Sequence, residues 1–180
     1  MLLKARQIQD DGTRQVLHNM AERISALSTV HRLLYTVGDV SRFDLKEYVG
    51  DLTADLMTAL PKGRIRLDLD VAPVAISAAK ATPLALLVNE IVGNALKHAH
   101  PDGGPGRVAV AVRKLDGDVR IEIEDDGIGL EADDASGRGF GRTLIDMLVR
   151  QLRAQIDWQD AQPGTRVLVT VPLNAEEAQL

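Results

Sequence analysis

Two hydrophobic periods divide this 180-residue chain. Leu17, Met20, Ile24, Leu27, His31 and Leu34 recur at spacings of 3, 4, 3, 4 and 3. That 3.5-residue repeat is the seam of a coiled coil or a helical bundle. After Pro61-Lys62-Gly63 the period becomes two. Ile65, Leu67, Leu69 and Val71 alternate with charged residues, as in a half-buried strand. One helical seam followed by alternating runs predicts an α-rich N-terminal part and then an α+β sandwich. Its helices lie on one face of a mixed, largely antiparallel sheet.

Residues 2–9 read as the tail of a helix, and Asp10-Asp11-Gly12-Thr13 as a turn with Gly12 as breaker and Asp11 or Thr13 as cap. The seam helix then runs to about Val37. A helical hairpin of this size cannot bury both faces alone, so helix-on-helix dimerisation is expected. The alternative is that the seam covers the following domain. Residues 38–42 read as a connector. A helix follows from about Asp44, with Asp44 and Glu47 at capping-box spacing and Leu45, Tyr48, Val49, Leu52 and Leu56 as its apolar stripe. Thr82-Pro83 opens the next helix. Pro105-Gly106 precedes a strand over 107–113, Leu115-Asp116-Gly117-Asp118 is a hairpin turn, and 119–124 alternates again. A helix over 141–152 and strands over 155–159 and 166–171, joined across Pro163-Gly164, complete the pattern.

Composition narrows the function classes. There is no cysteine, which excludes disulfide frameworks and zinc–thiolate sites and suits a reducing compartment. A net charge of −5, without Lys/Arg clusters interleaved with aromatics, argues against a nucleic-acid surface. No apolar run reaches membrane-spanning length and the N-terminus lacks a signal-peptide core, so no membrane contact and a cytoplasmic location are expected. The chain begins already in a helical pattern, as a cut fragment would.

Three motifs carry chemistry. In Asn89-Glu90-Ile91-Val92-Gly93-Asn94-Ala95-Leu96-Lys97-His98, helical spacing puts Glu90, Asn94, Lys97 and His98 on one face. Leu84, Leu87, Val88, Ile91 and Ala95 fall on another. An amide oxygen that can ligate a metal beside a lysine that can meet phosphate suits a magnesium-bound polyphosphate. The second motif, Asp125-Asp126-Gly127-Ile128-Gly129, follows a strand. Its carboxylate can accept from an exocyclic amine such as that of adenine, and its glycines let the backbone approach a flat ring. An ordinary acidic turn is the plain alternative. The third, Gly137-Arg138-Gly139-Phe140-Gly141, feeds a helix N-terminus, where backbone N–H groups favour phosphate. Its glycine spacing matches neither a Walker A loop nor a Rossmann fingerprint.

The order of these motifs, closed by Gly164-Thr165 before the last strand, resembles the GHKL ATPase superfamily (gyrase, Hsp90, histidine kinases, MutL) and its Bergerat ATP-binding fold, over about residues 64–173. Within it, Asn-Glu-x-x-x-Asn-Ala-Leu-Lys-His resembles the N-box of bacterial sensor histidine kinases. Residues 23–35, Arg-Ile-Ser-Ala-Leu-Ser-Thr-Val-His-Arg-Leu-Leu-Tyr, resemble the end of the dimerisation helices in the HWE-related subgroup. The short span 130–136 suits that subgroup's abbreviated lid. Ile121-Glu122-Ile123 stands where HWE kinases carry Trp-x-Glu, which points to the neighbouring HisKA-type-two group.

The resemblance implies a distal dimerisation hairpin over 1–38, a connector over 39–43, a catalytic ATP-binding domain over 44–174 and a tail over 175–180. It implies that Asn94 ligates magnesium and that Glu90 is the acid near the γ-phosphate, a candidate general base. It further implies that Lys97 contacts phosphate with His98 beside it, that Asp125 binds the adenine amine, and that Gly127 and Gly129 line the base. Gly137, Gly139 and Gly141 border the phosphates, and Thr165 supports the adenine side. ATP and Mg2+ are the implied cofactors; a homodimer through the N-terminal helices and a response-regulator receiver domain are the implied partners. Met1-Leu2-Leu3-Lys4-Ala5-Arg6-Gln7 resembles the stretch that follows the subgroup's phosphoacceptor, so the acceptor histidine is expected before residue 1. His18 then reads as a helix-surface histidine, His31 as packing or hydrogen-bonding within the bundle, His100 as loop and Trp158 as edge packing. Two rivals are an anti-sigma-type protein-serine kinase on the same ATPase fold and a non-catalytic phosphotransfer or scaffold protein.

Overall fold

The computed structural model describes residues 11–36, 42–58, 60, 63–99, 105–129, 140–174 and 177. In chain order the elements are α1 (Asp11–Thr36), β1 (Arg42–Asp44), α2 (Leu45–Thr58), β2 (Ile65–Val71), β3 (Ala75–Ser77), α3 (Ala78–His98), β4 (Gly106–Leu115), β5 (Asp118–Asp125), α4 (Phe140–Leu152), β6 (Gln155–Asp160) and β7 (Thr165–Pro172). Five strands form a sheet in the order β2-β4-β5-β7-β6. Only β2 and β4 run parallel; the other three neighbouring pairs are antiparallel. This is the expected α+β sandwich.

The alternation of each strand decides which face is covered. Val108, Val110 and Val112 on β4, Ile121 and Ile123 on β5, and Val167, Val169 and Val171 on β7 are all buried. They meet Leu84, Leu87, Val88 and Ile91 of α3, Tyr48, Val49 and Leu52 of α2, and Ile145 and Leu148 of α4 in one core. Fully burying one such side chain contributes roughly 1.5–3 kcal/mol. With few aromatics, branched aliphatics fill this interface, and Tyr48 donates its hydroxyl to the Ala85 carbonyl at 2.8 Å. The opposite face carries alternating charge. Arg107 reaches Asp68 at 2.7 Å, and Arg166 reaches Glu122 at 3.2 Å and Glu124 at 2.5 Å. Such exposed pairs keep the face wet and add little to stability.

Helix α2 starts as the sequence predicts. Asp44 Oδ1 accepts the backbone N–H of Lys46 at 2.7 Å and of Glu47 at 3.2 Å, an N-cap. Three local expectations need correction. Helix α1 begins at Asp11, so Gly12 sits in its first turn instead of breaking it; the first N–H groups of a helix lack intrahelical acceptors in any case. Arg42 opens a short strand, β1, which pairs antiparallel with β3 from Phe43↔Ile76 outward, where only a connector was expected. Helix α3 begins at Ala78, one turn before Thr82-Pro83. The expected helix tail at 2–9, most of the connector (38–41) and His100 lie outside the described residues.

The early start of α3 has a tertiary cause. Ser77, its N-cap residue, makes no side-chain cap bond. Instead Glu177, from the segment expected to be a bare tail, is buried against it. Its carboxylate accepts the Ser77 N–H at 2.8 Å, the Lys80 ammonium at 2.5 Å and the Asn174 N–H at 2.7 Å. Burial alone would push the Glu177 carboxyl up; the bonds from Lys80, Asn174 and Ser77 outweigh it and bring it down to about 2. Because the folded value lies below the ordinary 4.5, the stabilisation is complete above pH 4.5 and lost as pH falls toward 2. Glu177→Gln is expected to cost on the order of 2–3 kcal/mol at neutral pH, and to flatten the acid limb of stability. Urea unfolding between pH 7 and pH 2 checks this; coincident curves for variant and wild type would remove the clamp from the account.

Candidate nucleotide-binding site

Helix α3 is wrapped on most sides. Ala81, Leu84, Ala85, Leu87, Val88, Ile91, Val92, Ala95 and Leu96 are buried. What escapes burial is a line at near-fourfold spacing: Thr82, Leu86, Glu90, Asn94, Lys97 and His98. The polar face expected from the sequence is therefore a line along α3 that the sheet leaves open. Among the described residues the Asn94 amide has no hydrogen-bond partner.

Two backbone contacts fix what lies at either end of this line. At the C-terminal end, Gly127 packs on the chain of α3: a Cβ there would stand 2.0 Å from the His98 carbonyl oxygen. At the other end Gly141, in the first turn of α4, lies against Glu90; a Cβ there would be 3.4 Å from Glu90 Oε2. The second and third motifs thus meet the two ends of the first. Asp125 terminates β5 on the covered side, in register with Val108. It is buried, and its Oδ1 accepts the N–H of Gly127 at 3.0 Å and of Thr165 at 3.3 Å. Oδ2 remains for a donor from outside. Burial pushes the Asp125 carboxyl up, and the two N–H bonds offset only part of that.

Gly164, at φ +94°, brings the β6–β7 turn onto β5; a Cβ there would lie 1.8 Å from the Asp125 carbonyl oxygen. Gly129 neighbours Gly164. Asp125, Gly127, Gly129, Thr165 and the end of α3 are therefore brought together. Gly137 and Gly139 lie outside the described residues, as does the lid span 130–136. Trp158 is half-buried on the edge strand β6, with the Arg142 guanidinium 4.0 Å above its ring, in keeping with edge packing.

Sequence reasoning missed one feature of the site. Arg23 of α1 grips Glu90 with both ends of its fork: Nε donates to Oε1 at 2.6 Å and Nη2 to Oε2 at 2.7 Å. The next α1 residue toward the N-terminus, Glu22, stands 3.7 Å from the Lys97 ammonium. The available signal was a second row on α1. Arg23 heads it, and Ala26, Val30 and Leu33 follow at helical spacing, all three buried against the domain. Of the 3.5-repeat seam, Met20, Ile24, Leu27 and His31 are exposed, Leu17 is half-buried and Leu34 packs against the core. The second row, joined by Leu34 at the end of the seam, covers the domain, and most of the seam stays exposed. The His18 side chain lies outside the described residues.

A family model described as histidine kinase-, DNA gyrase B-, and HSP90-like ATPase matches residues 79–175, and one described as histidine kinase matches residues 1–60. Blue-light-activated histidine kinase 2 of Erythrobacter litoralis (strain HTCC2594) is 25% identical over 98% of this chain, and the chain spans 53% of that relative's length. The anti-sigma F factor of Clostridium novyi (strain NT) is 27% identical but matches 53% of this chain. The solved histidine kinase domain of the Erythrobacter litoralis EL346 blue-light-activated kinase superposes with a TM-score of 0.79, at 24% identity, over 89% of this chain and 77% of its own. Among the described residues no helix is long and apolar enough to cross a membrane.

The close backbone contacts make a direct prediction. Gly164→Ala is expected to destabilise the fold by at least about 2 kcal/mol, through overpacking and a strained φ, and Gly127→Ala by about 1–3 kcal/mol. Thermal unfolding checks both, and near-neutral values would mean that the turns are looser than drawn. With an ATP-fold cradle built on α3 and β5 and family matches that together run from residue 1 to residue 175, the chain belongs to the histidine kinase-, DNA gyrase B-, and HSP90-like ATPase family, on its histidine kinase branch.

Proposed function

We propose that this chain is the ATP-binding catalytic region of a two-component sensor histidine kinase. It takes the γ-phosphate of magnesium-ATP to a histidine, from which a response-regulator receiver domain receives it. The observation that carries this reading is Asp125: a buried carboxylate with one oxygen taken by the N–H groups of Gly127 and Thr165 and the other left for a donor, at a place where Gly127 and Gly164 bring the backbone close. That is the acceptor an adenine amine needs. Gly129 and Thr165 flank the base, and Gly137, Gly139 and Gly141 border the phosphates.

Asn94 fits magnesium, because its amide is unpartnered and offers the oxygen ligand that this ion prefers. Among the described residues no three His, Cys, Asp or Glu side chains converge, so an ion there would be shared with phosphate oxygens. The metal neutralises phosphate charge when bound. Lys97 meets the phosphates with His98 beside it, and Glu90, one turn from Asn94, is the candidate base. Such catalysis is mostly positioning and charge stabilisation. Asn94→Ala is expected to abolish the magnesium dependence of ATP binding in calorimetric titrations with and without the ion. Identical weak binding by wild type and variant would count against the assignment. Acid-labile phosphate on the acceptor separates this reading from a serine kinase of the anti-sigma type, whose product is acid-stable.

The exposed row Met20, Ile24, Leu27 and His31 supports a homodimer through the N-terminal helices. Ile24→Glu is expected to convert the dimer to monomer by light scattering while leaving ATP binding intact. A wild-type monomer at tens of micromolar would remove the dimer from the proposal.

A further inference from the structure

We propose that Arg23 gates the nucleotide site: its ion pair with Glu90 docks α1 on the ATP-binding helix and withholds the candidate base until α1 lets go. The proposal rests on the reading of Glu90 as that base. A general base must bring one oxygen within hydrogen-bond reach of the proton it removes. Here both Glu90 oxygens are held by the Arg23 fork, at 2.6 and 2.7 Å. The two side chains are only 10% and 15% exposed, and Gly141 closes the other side of the carboxylate. A two-pronged guanidinium–carboxylate pair is among the strongest and most directional contacts a surface helix can make.

The match extends one residue further. Consecutive α1 residues of opposite charge, Glu22 and Arg23, meet the two opposite charges of the open line on α3, Lys97 and Glu90. The base and the phosphate-facing lysine are therefore engaged together and released together. The rest of the contact is poorly filled for a permanent one. Its apolar row is short, Ala26, Val30 and Leu33. A half-open pocket of about 110 Å³ lies between α1, α2 and α3, lined by Ser25, Thr29, Asp55 and Asn89 among others. Asn89 Oδ1 is buried beside it, with no partner among the described residues. Buried polar atoms are seldom left orphaned. Charge complementarity thus holds α1 in place where packing does not.

Once α1 has released, an attacking water oxygen bonds to the γ-phosphorus. The bond from that phosphorus to the β,γ-bridging oxygen breaks, its electron pair leaves with ADP, and the water's proton passes to Glu90 and on to solvent. Phosphate release from γ-labelled ATP with magnesium therefore tests the gate on the whole chain. Arg23→Ala is expected to raise kcat about five-fold or more without lowering KM, and Arg23→Lys, which keeps the charge but loses the fork, to fall between. Adding Glu90→Gln to Arg23→Ala should erase the gain, which a general loosening of the fold would not require. Circular dichroism establishes that each variant is folded, and Arg23→Lys carries the test if Arg23→Ala is not. An unchanged or lower kcat in the folded Arg23 variants, or a gain that survives Glu90→Gln, overturns the gate while leaving ATP binding in place. Failure of wild type and variants alike to bind magnesium-ATP by calorimetry overturns the nucleotide reading, and the gate with it.

Discussion

The distance between two backbones sets this structure: the chain at the end of α3 and the turn that follows β5. With no Cβ at Gly127, that turn lies directly on the His98 carbonyl, and with none at Gly164 the β6–β7 turn lies directly on Asp125. Three segments far apart in sequence are stacked by contacts that side chains would prevent. The stack dictates the orientation of Asp125, because the N–H groups of Gly127 and Thr165 both point at its Oδ1. Helix geometry does the rest, since Asn94 and Glu90 lie one and two turns back along the same α3 line.

Helix α1 has two separable surfaces, and they solve different problems. One row, Arg23 with Ala26, Val30 and Leu33, meets the ATP-binding domain. The other, Met20, Ile24, Leu27 and His31, faces outward. A straight helix repeats every 3.6 residues, so two rows offset by two to three positions lie on well-separated faces. A partner on the outer row can then act on α1 without touching the nucleotide site. The inner row can detach without disturbing the outer one.

What could be read from the sequence was what local periods encode. The α2 stripe and its Asp44 cap, the hairpin at Asp116-Gly117, the strand alternation and the Asp125-Gly127 turn are all set by neighbours within a few residues. Features decided by partners distant in sequence were missed. Glu177 is 97 residues from Lys80, yet it anchors the first turn of α3 and so moves that helix start ahead of Pro83. The β1–β3 pair is three residues long on each side, too short for alternation to show. Arg23 and Glu90 are 67 residues apart. The coiled-coil seam drew the eye to one row of α1, although the second row, with a charge at its head and small aliphatics below, is equally regular.

Charge explains why binding and chemistry need not favour the same position of α1. The chain carries a net charge of −5, and a nucleoside triphosphate is itself strongly anionic. An uncompensated Glu90 beside the phosphates would repel them, and in a partly buried site that repulsion is weakly screened. Arg23 cancels it. On the proposed reading, the docked helix leaves the site nearly neutral along α3 and so favours occupancy, whereas the undocked helix restores a carboxylate that can accept a proton. A single ion pair then separates loading from transfer. It needs no change in the sheet, because Glu90 stands on a helix that the core holds by its other faces.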